Sequence, residues 1–211
     1  MENKRTRFYL IRHGETDWNK AGRYQGCTNI QLNEEGLEQA RLLGERFKYL
    51  PLDVVYVSPL DRAVATAEPV AASHGLTPIK DEHFKEINFG EWEGHTIEEL
   101  SEKYGRAYTD FFKDPFDHPV PGEGSFQNAM DRAIEGFNIL AERHKGQNVA
   151  IISHGGLLRV MLVGLLEMGD AFYRKTWMTN TSVTMLDVGQ ASATLIESNG
   201  QYCLIDAGKA G

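Results

Sequence analysis

The stretch Phe8-Tyr9-Leu10-Ile11-Arg12-His13-Gly14-Glu15-Thr16 decides how this chain is read. Four apolar residues predict a short buried strand over 8–11, and the run stops at a cation, an imidazole and a glycine. Ligands of open α/β sheets bind beyond the carboxyl ends of the strands, so a histidine there is placed for chemistry. Val149-Ala150-Ile151-Ile152-Ser153-His154-Gly155-Gly156 repeats the arrangement. Two strands that each end in His-Gly can bring two imidazoles to one site.

Outward from the first strand, residues 15–32 show no clear period. A loop of that length starting at His-Gly is expected to line the site. Asn33 predicts the N-cap of a helix whose apolar face is Leu37, Ala40, Leu43, Gly44 and Phe47. A strand over 53–57 leads into Ser58-Pro59-Leu60-Asp61, which reads as a serine N-cap with proline at the first helical position. Pro69 should kink or interrupt the helix that follows. A short strand at 78–80 precedes a structured loop over 84–95, then helical pieces at 97–104 and 107–112; residues 90–124 read as an insertion or cap. Ser125 caps a further helix, and a strand over 148–153 and a helix over 155–166 come next. Strands at 182–188, 193–197 and 201–205 close the chain, with Asn199-Gly200 as a hairpin turn between the last two. Strands alternating with helices early and a hairpin late predict a three-layer α/β/α fold. Its central sheet is mixed and mostly parallel, in one domain over residues 1–211.

An apolar content of 41% and a charged content of 25% over 211 residues are those of an ordinary globular protein. The formal charge of −8, with no basic block, argues against a nucleic-acid partner. Cys27 and Cys203 make neither a disulfide framework nor a zinc spacing. Residues 1–7 are polar, and no apolar run reaches the ~18 residues that span a bilayer. The expectation is a cytoplasmic protein without a membrane partner, with a homodimer among its compatible assembly states.

Two histidines at strand ends beside arginines point to a phosphate-ester site. Arg12 precedes His13, and Arg62 lies in the first turn after the second strand, at the same sheet edge. Guanidinium forks match phosphate oxygens, and the N–H groups of Gly155 and Gly156 at a helix start, with the Asn19 amide, can add donors. A neutral imidazole is a competent nucleophile towards phosphorus, and a second, protonated one would stabilise the equatorial oxygens. Glu86, flanked by Ile87 and Phe89, is the candidate acid for the leaving oxygen, ahead of Glu91 and Glu93. Trp18, Tyr24, Phe89, Trp92, Phe111 and Phe112 divide between core and pocket rim, where they would favour apolar or aromatic alcohol moieties. His74, His83, His95, His118 and His144 read as surface residues and Cys27 as a bystander.

The segment Leu10-Ile-Arg-His-Gly-Glu-Thr16 resembles the signature of the histidine phosphatase, or phosphoglycerate mutase-like, superfamily. The resemblance continues through Trp18-Asn19, Gln25-Gly26, Leu32 to Gly36, Ser58 to Ala63, Glu86 to Gly94 and Ser153 to Gly156. It implies a metal-independent phosphomonoesterase that needs no cofactor and takes small phosphate monoesters. His13 would become phosphohistidine, and Arg12, Arg62 and His154 would hold the phosphoryl group. Asn19, Gln25, Gly26 and the Gly155 N–H would assist, and Glu86 would serve as acid, then base. Mutases of the family carry Glu-Arg-His-Tyr-Gly where this chain has Glu86-Ile87-Asn88-Phe89-Gly90, and an Arg-Arg pair that is absent here. The chain therefore looks like the phosphatase branch, which includes broad-specificity and α-ribazole phosphatases. The alternatives are a cofactor-dependent phosphoglycerate mutase or a phosphate-binding regulatory protein without turnover.

Overall fold

The computed structural model describes residues 5–189 and, as backbone strands, 193–198 and 201–206. The strands are β1 (Thr6–Arg12), β2 (Val54–Val57), β3 (Ile79–Lys80), β4 (Asn148–Ser153), β5 (Val183–Val188), β6 (Ala193–Ser198) and β7 (Gln201–Asp206). The helices are α1 (Asp17–Lys20), α2 (Glu34–Phe47), α3 (Asp61–Ala72), α4 (Ile97–Tyr104), α5 (Arg106–Lys113), α6 (Phe126–Arg143), α7 (Gly155–Leu165) and α8 (Ala171–Lys175). One sheet runs β3-β2-β4-β1-β5-β6-β7. Its first four strands are parallel, and β5, β6 and β7 add on antiparallel, which is the mixed sheet expected. The Asn199-Gly200 turn lies outside the described residues.

Alternation within the strands makes the three layers. Phe8 and Leu10 of β1 join Val149 and Ile151 of β4 on the face covered by α6 and α7. Tyr9 and Ile11 join Ala150 and Ile152 on the face covered by α2 and α3. All eight are at most 1% exposed, and burial of side chains of this size is worth roughly 1.5–3 kcal/mol each for the larger ones. The chain leaves β1 for α2 on one face and leaves β4 for α7 on the other. The carboxyl ends of β1 and β4 are therefore the switch point of the sheet, where an open α/β fold forms its crevice.

Two helix readings need correction. Ser58 does not cap α3: the helix starts at Asp61, Leu60 is its N-cap without a side-chain bond, and the Asp61 N–H donates to Asn29 Oδ1 at 2.9 Å. Pro69 does not interrupt α3, which runs through it from Asp61 to Ala72; α2 packs Gly44 against the proline ring, where a Cβ would lie 2.8 Å from the Pro69 Cβ. Asn33 and Ser125 cap α2 and α6 as the sequence implied. Within the 15–32 loop, Thr16 starts the short α1 through a capping box with Asn19.

The 90–124 segment holds α4 and α5 and shares the core of the sheet. Trp92, Leu100, Tyr108, Phe111 and Val120 belong to one apolar cluster with Phe8, Phe126 and Phe137. Tyr24 in the first loop reaches this cap through a 3.0 Å hydrogen bond between its hydroxyl and that of Tyr108. Among the described residues no helix is long and apolar enough to cross a membrane.

Candidate active site

Parallel pairing sets Arg12 opposite Ser153. His13 and His154 therefore leave neighbouring strands side by side, with ring centroids 5.1 Å apart. The His13 N–H donates to Ser153 O at 3.0 Å and the Ser58 N–H to Ile152 O at 3.0 Å, so β2, β4 and β1 deliver Ser58, His154 and His13 to one edge. His13 Nδ1 donates to its neighbour Gly14 O at 2.6 Å. That bond fixes the tautomer and leaves the Nε2 lone pair unprotonated. His154 is fully buried; its Nε2 meets Ser58 Oγ at 2.7 Å, and its Nδ1 has no partner. Ser58, read as a helix cap from sequence, is instead the group that orients His154.

Arg62 is fully buried and donates to Gly26 O at 2.7 Å and Thr28 O at 2.8 Å. Gly26 sits at φ 50°, and a Cβ there would overlap Glu93. Glu93 is a structural anchor: its carboxylate accepts the N–H groups of Cys27, Thr28 and Phe89 and the Thr28 hydroxyl. Arg12 donates to Met178 O at 2.5 Å. The Nε atoms of Arg12 and Arg62 are buried without partners. No carboxylate forms an ion pair with either arginine among the described residues. Burial lowers Arg12 to about 10, an effect that Glu86 opposes, and burial also lowers Arg62.

Ile87 turns into the core, whereas Phe89, also buried, reaches the same cavity as Glu86. The Glu86 carboxylate sits at the start of α7, where Oε1 accepts from the N–H groups of Leu157 (2.8 Å) and Ile87 (3.0 Å), and Oε2 from Gly156 (3.2 Å). The Gly156 N–H is thereby engaged, and Gly155, beside Arg12, keeps the donor left for a ligand. Asn19 Oδ1 closes the Thr16 cap, which leaves its amide N–H groups for the cavity, and Gln25 Oε1 is buried without a partner.

These groups line one cavity of about 900 Å³, to which Asn19, Gln25, Gly26 and Gly155 contribute. His154 stands behind His13 rather than on the wall. Of the six aromatics singled out, all but Trp92 reach the cavity. The other histidines are half-buried and tied into structural bonds, such as His144 to Tyr56 and His83 to Asp81. Burial pushes the Cys27 thiol up to about 11, in keeping with a bystander. The strap after α8 had no sequence signal: Asn180 donates to His13 O at 2.9 Å, and Thr181, at φ 56°, donates its N–H to Arg12 O at 3.0 Å.

Both histidines are held well below the ordinary 6.5, first by burial and then by Arg62. An imidazole that resists its proton when folded but accepts it when unfolded leaves stability full above pH 6.5. Stability is then lost as pH falls from there towards the depressed folded values. Each contributes a slope of up to about 1.4 kcal/mol per pH unit. The urea midpoint of the ligand-free protein is expected to fall between pH 7 and 5.5, and less steeply in His154→Gln. A midpoint that stays flat across that window contradicts the burial of two neutral imidazoles.

Residues 8–200 match the model of the histidine phosphatase superfamily (branch 1). Phosphoserine phosphatase 1 of Hydrogenobacter thermophilus is 32% identical over 191 residues, 90% of each chain. The metal-independent phosphoserine phosphatase of Arabidopsis thaliana is 37% identical over 174 residues, 81% of this chain and 73% of that one. A crystal structure of a histidine-to-alanine variant of Entamoeba histolytica phosphoserine phosphatase, in complex with phosphoserine, is similar with a TM-score of 0.82. It is 34% identical, over 92% of this chain and 96% of that one. The chain belongs to the histidine phosphatase superfamily, branch 1. It is a phosphoric monoester hydrolase.

Proposed function

We propose that this chain hydrolyses small phosphate monoesters, O-phosphoserine foremost, by passing the phosphoryl group through His13 Nε2. The observation that carries the reading is the His13 tautomer: Nδ1 is bonded to Gly14 O, so a neutral Nε2 lone pair shares the cavity with two guanidinium groups that lack a carboxylate partner among the described residues. Arg12 and Arg62 neutralise the incoming dianion and let an uncharged nucleophile approach it. We assign the unpartnered Nδ1 of His154, buried behind the cavity wall beside His13, to a further contact with an equatorial oxygen once the phosphoryl group sits on His13. With the Ser58 hydroxyl donating to Nε2, a neutral His154 presents Nδ1–H, so no imidazolium is required in the empty site. The Gly155 N–H and the Asn19 amide complete the cradle. Glu86 protonates the departing alcohol and then takes a proton from the water that cleaves phosphohistidine.

The choice of phosphoserine rests on the relatives, three of which carry that activity in their names. A mutase reading finds no support at Ile87, buried in the core, or at Phe89, which reaches the cavity without a hydroxyl, where mutases carry their glycerate-binding Arg and Tyr. The test is release of phosphate from O-phosphoserine and from p-nitrophenyl phosphate in excess EDTA, with 3-phosphoglycerate isomerisation assayed alongside. Hydrolysis of both esters without isomerisation is expected. Isomerisation without net hydrolysis overturns the reading in favour of a mutase.

A further inference from the structure

The cavity carries charge that the phosphoryl group does not account for. Seven of the chain's 22 lysines and arginines line it, against two of its 30 acids, Glu15 and Glu86, although the whole chain has net charge −8. Arg12 and Arg62 match the two charges of a monoester dianion. Arg23 is bound to Glu99 at 2.8 Å, and Lys113 faces Asp110 of its own helix at 4.0 Å. Two cations then remain without a carboxylate partner among the described residues, Arg159 from the second turn of α7 and Lys175 from α8, and Arg174 of α8 stands beside them.

Arg159 is built in rather than draped on the surface. Its Nε donates to Gly155 O, one guanidinium nitrogen to Tyr173 O and Thr176 O, all at 3.1 Å, and the other to the Tyr173 hydroxyl at 2.9 Å. The guanidinium carbon lies 3.9 Å from the Tyr173 ring centroid and 5.3 Å from that of Trp177. Four of its five N–H groups thus meet neutral acceptors, one is left over, and the positive charge has no carboxylate partner among the described residues. A half-buried cation fixed in this way is an anion receptor that needs no reordering to bind. Arg174 stands 3.6 Å from Asp114 across the mouth, with both side chains 40% exposed, so water weakens that pair and leaves the arginine available. Arg159 follows Gly155 by four residues, about 6 Å along the helix, so an anion two carbons from the ester oxygen comes within its reach.

We propose that Arg159, with Arg174 and Lys175 beside it, forms a second anion subsite that holds a carboxylate on the alcohol portion of the substrate. The proposal rests on the phosphoryl site assigned above and extends it to the leaving group. A purely structural reading would use the hydrogen bonds of Arg159 to tie α7 to α8 and the Arg174–Asp114 pair to tie α8 to the cap, but would give Lys175 at the cavity nothing to do. The aromatic wall from the cap then contacts the carbon skeleton, and the cationic side selects the charge.

The experiment compares O-phosphoserine with O-phosphoethanolamine, which keeps the ester and the ammonium and lacks only the carboxylate. The wild type is expected to favour phosphoserine by tenfold or more in kcat/KM. In R174Q/K175Q and in Arg159→Gln that ratio should fall at least fivefold, mainly through KM. A wild-type ratio near one overturns the subsite, and this arm needs no variant to fold. A high ratio that both variants preserve overturns the residue assignment. p-Nitrophenyl phosphate, assayed on the same wild-type preparation, keeps the two readings apart. Its turnover shows that the phosphoryl site works whatever the ratio, and its failure removes the phosphoryl reading and this subsite with it.

Discussion

His13→Ala is expected to lower p-nitrophenyl phosphate turnover in excess EDTA by roughly 10⁴-fold or more, the scale of losing a nucleophile whose supporting groups remain. The size follows from what the imidazole alone supplies. Burial and the two arginines keep it neutral well below pH 6.5, so Nε2 is a free base throughout the neutral range. The Gly14 carbonyl holds the ring, and the N–H of His13 is pinned to Ser153, so the attacking atom is fixed before substrate arrives. Alanine keeps Arg12, Arg62 and His154 in place, so inorganic phosphate should still compete for the site. The wild type quenched in alkali should yield a base-stable, acid-labile phosphopeptide containing His13, and the variant should yield none. Turnover within tenfold of wild type in a folded His13→Ala protein would place the nucleophile elsewhere.

The strand-and-His-Gly units were legible because they are local: a buried run, then a reactive residue at the edge where α/β sheets bind ligands. The periodic helices were equally plain, since one apolar face is enough to define α2 and α6. What sequence neighbours could not convey is which partner a polar group finds across the fold. Ser58 has the form of an N-cap, yet the adjacent strand brings His154 to its hydroxyl and Asn29 takes over the cap. Glu86 has apolar neighbours in the chain but backbone donors in space, because its carboxylate turns to α7 while Ile87 turns inward. Glu93 ranks low as an acid and proves to brace the loop that holds Arg62. The strap that presents Met178, Asn180 and Thr181 has no hydrophobic period to announce it, since its role is carried by backbone and amide contacts.

Glu86→Ala separates the acid's role from every other feature of the site. With O-phosphoserine, whose alkoxide is a poor leaving group, kcat is expected to fall by ~10²- to 10⁴-fold. With p-nitrophenyl phosphate the loss should be much smaller, because that phenolate departs with little need of a proton. The carboxylate is anchored for this exchange: Oε1 accepts two backbone N–H groups, at 2.8 and 3.0 Å, whereas Oε2 accepts one, at 3.2 Å, and is the oxygen better placed to carry the proton. Alanine leaves the Gly156 and Leu157 donors unmet at the helix start, which water can fill through the open cavity, so the fold should survive. A merely structural Glu86 would lower both substrates alike by disturbing α7 and the glycine beside Arg12. Equal losses would therefore exclude Glu86 as the acid, and a gap between the two esters that closes as the leaving-group pKa falls would assign the proton to it.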